Sequence, residues 1–490
     1  MRNWSRGIFW LAVMMTALPA AAGERYEVGD FGATGNGVTL DTQAINDAIA
    51  AAAQAGGGTV YFDAGTYLSG SIHLRSHVHL ELGEAAVLKA APNEMGVYDP
   101  PEPNPWNDYQ DFGHSHFHNA LMWGEGLEDV AIHGRGAIDG DGMSTSDPAV
   151  GGGDKAIALK RCRNIRIHDL AIHRGGHFAI LMNGCEDVLI RNLTMRTGRD
   201  GINVISSRNV VIEGCDIEAF RWPNLRKGGG DDAIALKSDY ALGEKLPVEH
   251  VRIRNCRLSG SCNGIQFGSE TVGDFRDIEV RDCVIVNADK AGIGITTNDG
   301  GVIEDVRMRN IMILKAANPI FMNVTDRLRT PEDATAGTIR NVTLEDITAV
   351  DSHGHVKRHR FTSTISGMPD RPLENITLRN ARIVGKGGGT PDMAEIVPPY
   401  PEGYQPRKLG RRPAYGLYAR HVRNLLLDGA TFAFEQPDGR PALVFDKSQG
   451  IRLHDVKAAR SEGADVDVLT RQIDGIEIDR APGLRLKNVD

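Results

Sequence analysis

Aliphatic and polar residues alternate in short bursts along most of this chain, and the bursts open alike. Most start with an Asn or Asp, then an aliphatic, any residue, and a second aliphatic: Asn164-Ile165-Arg166-Ile167, Asp187-Val188-Leu189-Ile190, Asn209-Val210-Val211-Ile212. The first aliphatic anchors recur at Val251, Ile278, Val306, Val342, Ile376, Leu425, Ile451 and Leu484, with spacings of 22 to 49 residues. Alternation with a period of two predicts half-buried strands. Recurrence on this length scale predicts a solenoid, a propeller or an array. Neither the Leu-x-x-Leu-x-Leu spacing of leucine-rich repeats nor the 3.6 period of helical repeats is present. The pattern therefore predicts an all-β chain, a right-handed single-stranded parallel β-helix whose coils stack at about 4.8 Å.

Residues 41–52 break the pattern. Ala44, Ile45, Ala48, Ile49 and Ala52 follow helical spacing, with Asp41 as N-cap and Gly56-Gly57-Gly58 as the stop. A short amphipathic helix there would cap the open end of the core, as terminal units of solenoids must. Ahead of it, Arg2 and Arg6 precede an apolar stretch from Ile8 to Leu18 and a small-residue run, Ala20-Ala21-Ala22. The stretch is too short to span a bilayer and reads as an export signal over residues 1–22. Residues 23–490 then form one domain, with no Pro/Ser-rich linker to divide it. The expected protein is an exported monomer, periplasmic or extracellular, without a membrane span.

The 57 glycines suit many tight corners, and the net charge of −9 argues against nucleic-acid or anionic-membrane partners. Five of the six cysteines keep step with the repeats. Cys162 and Cys185 stand three residues before an anchor, and Cys215, Cys256 and Cys283 five after one. Equal register stacks them inside the coils as small hydrophobes; Cys262 falls outside both columns. Export permits disulfides, but spacing does not give a pairing. No close His/Cys spacing marks a metal site, and no cofactor is called for.

One stretch carries chemistry. Asp231 and Asp232 stand side by side after three glycines and just before an apolar strand, Ala233 to Leu236. Neighbouring strand residues point to opposite faces, so a regular strand would send one carboxylate into the core at high cost. The glycines permit a bulge or bend that re-aims it. A solvated turn or a calcium-binding pair are the plainer readings. Register favours a site. Asp200 lies 12 residues after anchor Val188, and Asn263 lies 12 after Val251. The coil between Val210 and Val251 is 41 residues long against 22 for the one before it. If the excess around Ala219–Lys227 and Tyr240–Val248 loops out, Asp200, the Asp231/Asp232 pair and Asn263 form one column on three coils, flanked by loops.

Arg199-Asp200-Gly201-Ile202 and Gly230-Asp231-Asp232-Ala233-Ile234-Ala235-Leu236-Lys237-Ser238 resemble the polygalacturonase family, family 28 of the glycoside hydrolases. So do Val28-Gly29-Asp30-Phe31-Gly32-Ala33, Phe267-Gly268-Ser269-Glu270 and Pro413-Ala414-Tyr415-Gly416-Leu417-Tyr418. The resemblance implies hydrolysis of a pectic polysaccharide or its oligosaccharides with inversion. Asp231 would be the general acid, and Asp200 and Asp232 would activate a water. Carboxylates so close raise one another's pKa, which would keep a proton on Asp231 near neutrality.

The chain also departs from the family. Cys262-Asn263-Gly264 stands where Gly-His-Gly is usual, and Gly294-Ile295-Thr296 where Arg-Ile-Lys is usual. The loss of those cations predicts poor activity on plain polygalacturonate and better activity on a structure such as rhamnogalacturonan. Substrate contacts are then expected from Asn263, Lys237, Arg199 and His177, with Arg221, Arg226, Lys227 and a stacking Trp222 in the inserted loop. Two rival functions share the fold: a calcium-dependent polysaccharide lyase, which would need a basic residue to take a proton, and a non-catalytic glycan-binding solenoid.

Overall fold

The computed structural model describes residues 24–144, 153–219, 230–331, 333–350, 362–401, 403–462 and 464–489. The export signal read in residues 1–22 lies outside them. The Asn or Asp that opens most bursts proves to be a corner. Asn164, Asp187 and Asn209 hold φ of 52°, 57° and 56°. This left-handed conformation costs most L-residues about 1–2 kcal/mol and is visited routinely only by Gly, Asn and Asp. The corner side chains also bond between coils, Asn164 Nδ2 donating to Asp129 Oδ1 at 3.1 Å and Asn209 Nδ2 to Asp187 Oδ1 at 2.9 Å. A second left-handed column follows each anchor strand, through Asp169, Asn192, Asn255, Asp282, Asn310, Asp346 and Asn380.

Three parallel sheets wrap the core. The anchors pair coil to coil in the first sheet, Ile165 with Val188, Val188 with Val210, Val210 with Val251, and Val251 with Ile278. The second sheet follows after the second corner and the third completes the coil. The fold is the expected right-handed parallel β-helix. One continuous core runs from Val28 to Val468 and includes Cys162, Cys185, Cys215, Cys256 and Cys283. All six cysteines are free. The last anchor is corrected: Ile451 pairs with Ile476, not Leu484. Gly475, at φ 80°, serves as that corner, as Gly450, at φ 65°, does ahead of Ile451.

Helix α1, Thr42–Gln54, closes one end of the core with Ile45, Ala48, Ile49 and Ala52 buried. Asp41 precedes it but does not cap it with its side chain. Its carboxylate instead accepts from Thr34 N at 2.7 Å and Gly35 N at 3.1 Å, tying the helix to the preceding loop. Among the described residues, no helix is long and apolar enough to cross a membrane.

Connections between the first and second sheets stay at three residues or fewer, as from Arg191 to Thr194 or Glu213 to Asp216. Those on either side of the third sheet vary. Residues 91–119 and 388–416 lead into it, and residues 239–247 and 325–337 lead out. The outer face of the third sheet is therefore bordered by long segments at both edges. Its central strands are β1 (Phe178–Asn183), β2 (Asp200–Ile205), β3 (Ile234–Ser238) and β4 (Asn263–Thr271), which pair in that order.

If the corners set the register, Asn209→Ile should destabilise the protein by about 1–2 kcal/mol through left-handed strain. Asn209→Gly should cost less, because glycine adopts that conformation freely. Urea unfolding of the three proteins tests this ordering.

Candidate active site

The pairing of Ile202 with Ile234 and of Ile234 with Ile265 sets Asp200, Asp232 and Asn263 in one column at the mouths of β2, β3 and β4. Gly230, at φ 84°, provides the bend ahead of the acid pair. Asp232 N donates to Asp200 Oδ1 at 3.3 Å. Asp232 Oδ1 accepts from both Asn263 N and Asn263 Nδ2, at 2.9 and 2.7 Å. Asp231 Oδ2 accepts from Arg199 Nη2 at 3.1 Å. Its side chain is 25% exposed, whereas Asp200 and Asp232 are buried. The bend thus leaves the two neighbouring carboxyls close together, one partly open and one buried.

The environments of the acids diverge. Burial, with the charges of Asp231 and Asp200, pushes the Asp232 carboxyl up to about 8. Burial would raise Asp200 too, but the charges of Lys237 and Arg199 outweigh it and hold Asp200 below the usual carboxylate range. Sequence reasoning placed the retained proton on Asp231. In the unliganded site the upward push falls on its neighbour, which is the buried member of the pair.

Several expected substrate contacts prove to be internal. Asn263 is buried, with its amide on Asp232 and its Oδ1 accepting from Ala291 N at 3.1 Å. Lys237 is buried, its Nζ donating to Asp200 Oδ2 at 3.2 Å. His177 is also buried, with Nδ1 3.4 Å from Arg199 Nη1. Arginine can only donate, so this ring nitrogen accepts. Arg199 alone of these four stays partly open, 24% exposed. Trp222, with Arg221, Arg226 and Lys227, lies outside the described residues, as does the basic run His353–Arg360.

The expectation of a cation-poor site does not hold. Gly294 and Thr296 carry no charge, but Gln266 fills their space. Its Nε2 donates to Thr296 Oγ1 at 3.0 Å, and a Cβ on Gly294 would lie 2.3 Å from its Oε1. Cations arrive from elsewhere. Lys290 lies beside Cys262, with its ammonium 5.4 Å from the Tyr404 ring centre. It forms no ion pair among the described residues, and the charges of Asp231 and Asp232 help to keep it protonated. Arg329 Nη2 donates to Glu270 Oε1 at 2.5 Å, and Arg327 grips Asp299 at 2.9 and 2.6 Å. His114, from the 91–119 segment, covers Lys237 with Nε2 3.0 Å from its Nζ. Of these groups Glu270 carried a sequence signal. Lys290 also stands 12 residues after its anchor, Ile278, the offset of Asp200 and Asn263, so register could have found it; Tyr404 and His114 sit in segments without motif or register, and folding alone brings them in. Asp231, Asp232 and Cys262 offer ligand atoms within 4.8 Å of one another, close enough for a metal ion, but the Lys290 ammonium already stands beside the thiol.

A family model described as glycosyl hydrolases family 28 matches residues 109–399, more than half of the chain and all of this site except Tyr404. The chain belongs to that family. This family 28 glycoside hydrolase also matches, over residues 26–112, a model described as rhamnogalacturonase A/epimerase, pectate lyase-like. A probable polygalacturonase of Vitis vinifera is 28% identical over 377 residues, covering 72% of this chain and 73% of that protein. An exopolygalacturonase structure from Thermotoga maritima superposes with a TM-score of 0.66 at 19% identity, covering 84% of this chain and 92% of that one. A family 28 exopolygalacturonase structure from Yersinia enterocolitica gives 0.61 at 16% identity, covering 95% and 78%. These structures share the β-helix.

In this family 28 hydrolase the Asp232 carboxyl carbon should titrate near pH 8, and Asp200 below an ordinary aspartate. Carbon-13 NMR, assigned with Asp232→Asn and Asp200→Asn, measures both. A midpoint for Asp232 near 4 would contradict the burial argument.

Proposed function

We propose that this hydrolase is an exported, single-domain, monomeric enzyme that cleaves glycosidic bonds in an acidic pectic polysaccharide or its oligosaccharides, with inversion. The observation that carries this reading is the divergence of three adjacent carboxyls: Asp200 held ionised, and a proton retained by the Asp231/Asp232 pair. Inversion needs one protonated and one ionised carboxyl on opposite sides of the scissile bond. Asp200, steadied by Lys237, orients and deprotonates the water, with Asp232 beside it.

Asp231, the member of the pair open to the cleft, delivers the proton to the leaving oxygen. Coupled carboxyls titrate as a unit, so the proton near pH 8 belongs to the pair rather than to one residue. A sugar carboxylate drawn toward Arg199 and Lys290 would loosen the Arg199–Asp231 contact. Arg199 and Lys290 support an acidic sugar at the cleavage point, in place of the preference inferred from Gly294 and Thr296.

The lyase reading needs a neutral base. Despite burial, Lys237 is held protonated by Asp200 and Glu270, and Lys290 by Cys262 and Tyr404 with the two acids behind them, which disfavours either in that role. A purely glycan-binding solenoid would have no use for buried acids of opposed protonation.

Asp231→Asn should lower kcat on the best pectic substrate by about 10²–10⁴-fold with the fold intact, the usual size of a general-acid contribution. Products should be saturated and unaffected by a chelator. Unsaturated, ultraviolet-absorbing products that vanish on calcium removal would move the enzyme to the lyase class. Activity should fall as pH rises through about 8, when the pair loses its proton. Polygalacturonate should be cleaved at least as fast as rhamnogalacturonan oligosaccharides, and Lys290→Met should raise KM for the acidic substrate more than it lowers kcat.

A further inference from the structure

Lys237 is not arranged as a ligand for substrate. Its ammonium is buried, 5.4 Å from the Phe178 ring centre, and its described hydrogen bonds run to Asp200 Oδ2 and His114 Nε2. An ammonium has donors only, so His114 Nε2 must accept and Nδ1 must carry the ring proton. That N–H points between two buried carboxylates, 3.5 Å from Asp239 Oδ2 and 3.7 Å from Glu270 Oε2. None of these three atoms has a hydrogen-bond partner among the described residues. The other oxygens of the two acids are engaged: Asp239 Oδ1 accepts from Asn183 Nδ2 at 3.0 Å and Glu270 Oε1 from Arg329. The result is a closed series from Asp200 through Lys237 and His114 to Asp239 and Glu270, with no described member beyond Asp200 open to the cleft.

We propose that Lys237 is a positioning residue: the His114–Asp239–Glu270 backing holds its ammonium against Asp200, and this clamp fixes Asp200 in the ionised state and in one orientation. The inference rests on Asp200 acting as the base. The two Asp200 oxygens are used differently, Oδ1 toward Asp232 N and Oδ2 toward Lys237, which fixes the carboxylate plane. The charged and titratable groups facing Asp200 are Lys237, Arg199, His114, Asp231 and Asp232. The two carboxyls oppose its ionisation. Arg199 is shared with Asp231, which leaves Lys237 as the cation committed to Asp200. The negative charges of Asp200 and Glu270 in turn offset the cost of burying the ammonium, while burial keeps the His114 ring neutral.

The test uses the full-length enzyme, Lys237→Met and Lys237→Arg. A cation at this range lowers a carboxyl pKa by about 1–3 units, so its removal raises that of Asp200. Because the ionised form is required, activity is then lost earlier as pH falls. The acid limb of the kcat–pH profile should move up by at least about one unit in Lys237→Met, with kcat down at least about tenfold, and stay near its original place in Lys237→Arg. An unmoved limb in folded Lys237→Met overturns the proposal, whatever happens to kcat. If that variant does not fold, the carbon-13 titration of Asp200 in the unaltered enzyme decides: a midpoint at or above that of an ordinary aspartate overturns the clamp. This readout needs no substrate. An enzyme inactive on every pectic substrate, but with Asp200 titrating low, would sink the functional reading and leave the clamp standing.

Discussion

Everything in this molecule depends on the left-handed corners that close each coil. A parallel ladder can slip, and a slip of one residue would turn every core side chain outward. Corners at Asn164, Asp187 and Asn209 resist slippage twice, by a conformation few residues accept and by side-chain bonds to the coil below. Because the corner-to-corner distance is constant, the mouths of successive third-sheet strands coincide. Asp200 and Asp232 meet only because Ile202 is paired with Ile234. The geometry of the acids is a property of the repeat rather than of the loops around it.

That frame lets the protein hold an arrangement that would not persist in isolation. Buried charges are costly unless paired, and here the pairs interlock: Lys237 with Asp200, Arg199 with Asp231, Arg329 with Glu270, Arg327 with Asp299. Two acids fall outside this matching, Asp232 and Asp239, and burial raises both, to about 8 and about 7. Protonation thus replaces pairing where no cation is available. The half-buried Lys290 is the complementary case, a cation beside the acids with no described carboxylate partner of its own.

The repeat was legible because its corner demands a residue type. An Asn or Asp before an aliphatic is a conformational requirement written in sequence, and it yielded the fold, the cysteine columns and the alignment of the acids. Glycine meets the same requirement at Gly450 and Gly475, and only the first of these two coils was recognised. The surroundings of the acids were legible only in part. Counting family positions suggested that cations had been lost at Gly294 and Thr296, because a side chain's origin in sequence says nothing about where a long segment lays it. His114 and Tyr404 reach the site from two connections whose paths no periodicity constrains, whereas Lys290 lies on a strand 12 residues after anchor Ile278, where the register could have shown it. Asn263, Lys237 and His177 were correctly placed near the acids, but their contacts made them supports instead of open contacts, a distinction that depends on burial.

The coil is also unequal in what it allows to change. The connection between the first and second sheets never exceeds three residues, whereas those bordering the third sheet reach nearly thirty. Variation in length is thus channelled to the borders of the one face that carries the acids. The molecule is modular in that sense, since a border can lengthen or shorten without moving the column of acids that the ladder holds. For engineering, the exposed parts of those borders are the places to insert, and the corner asparagines are the places to leave alone.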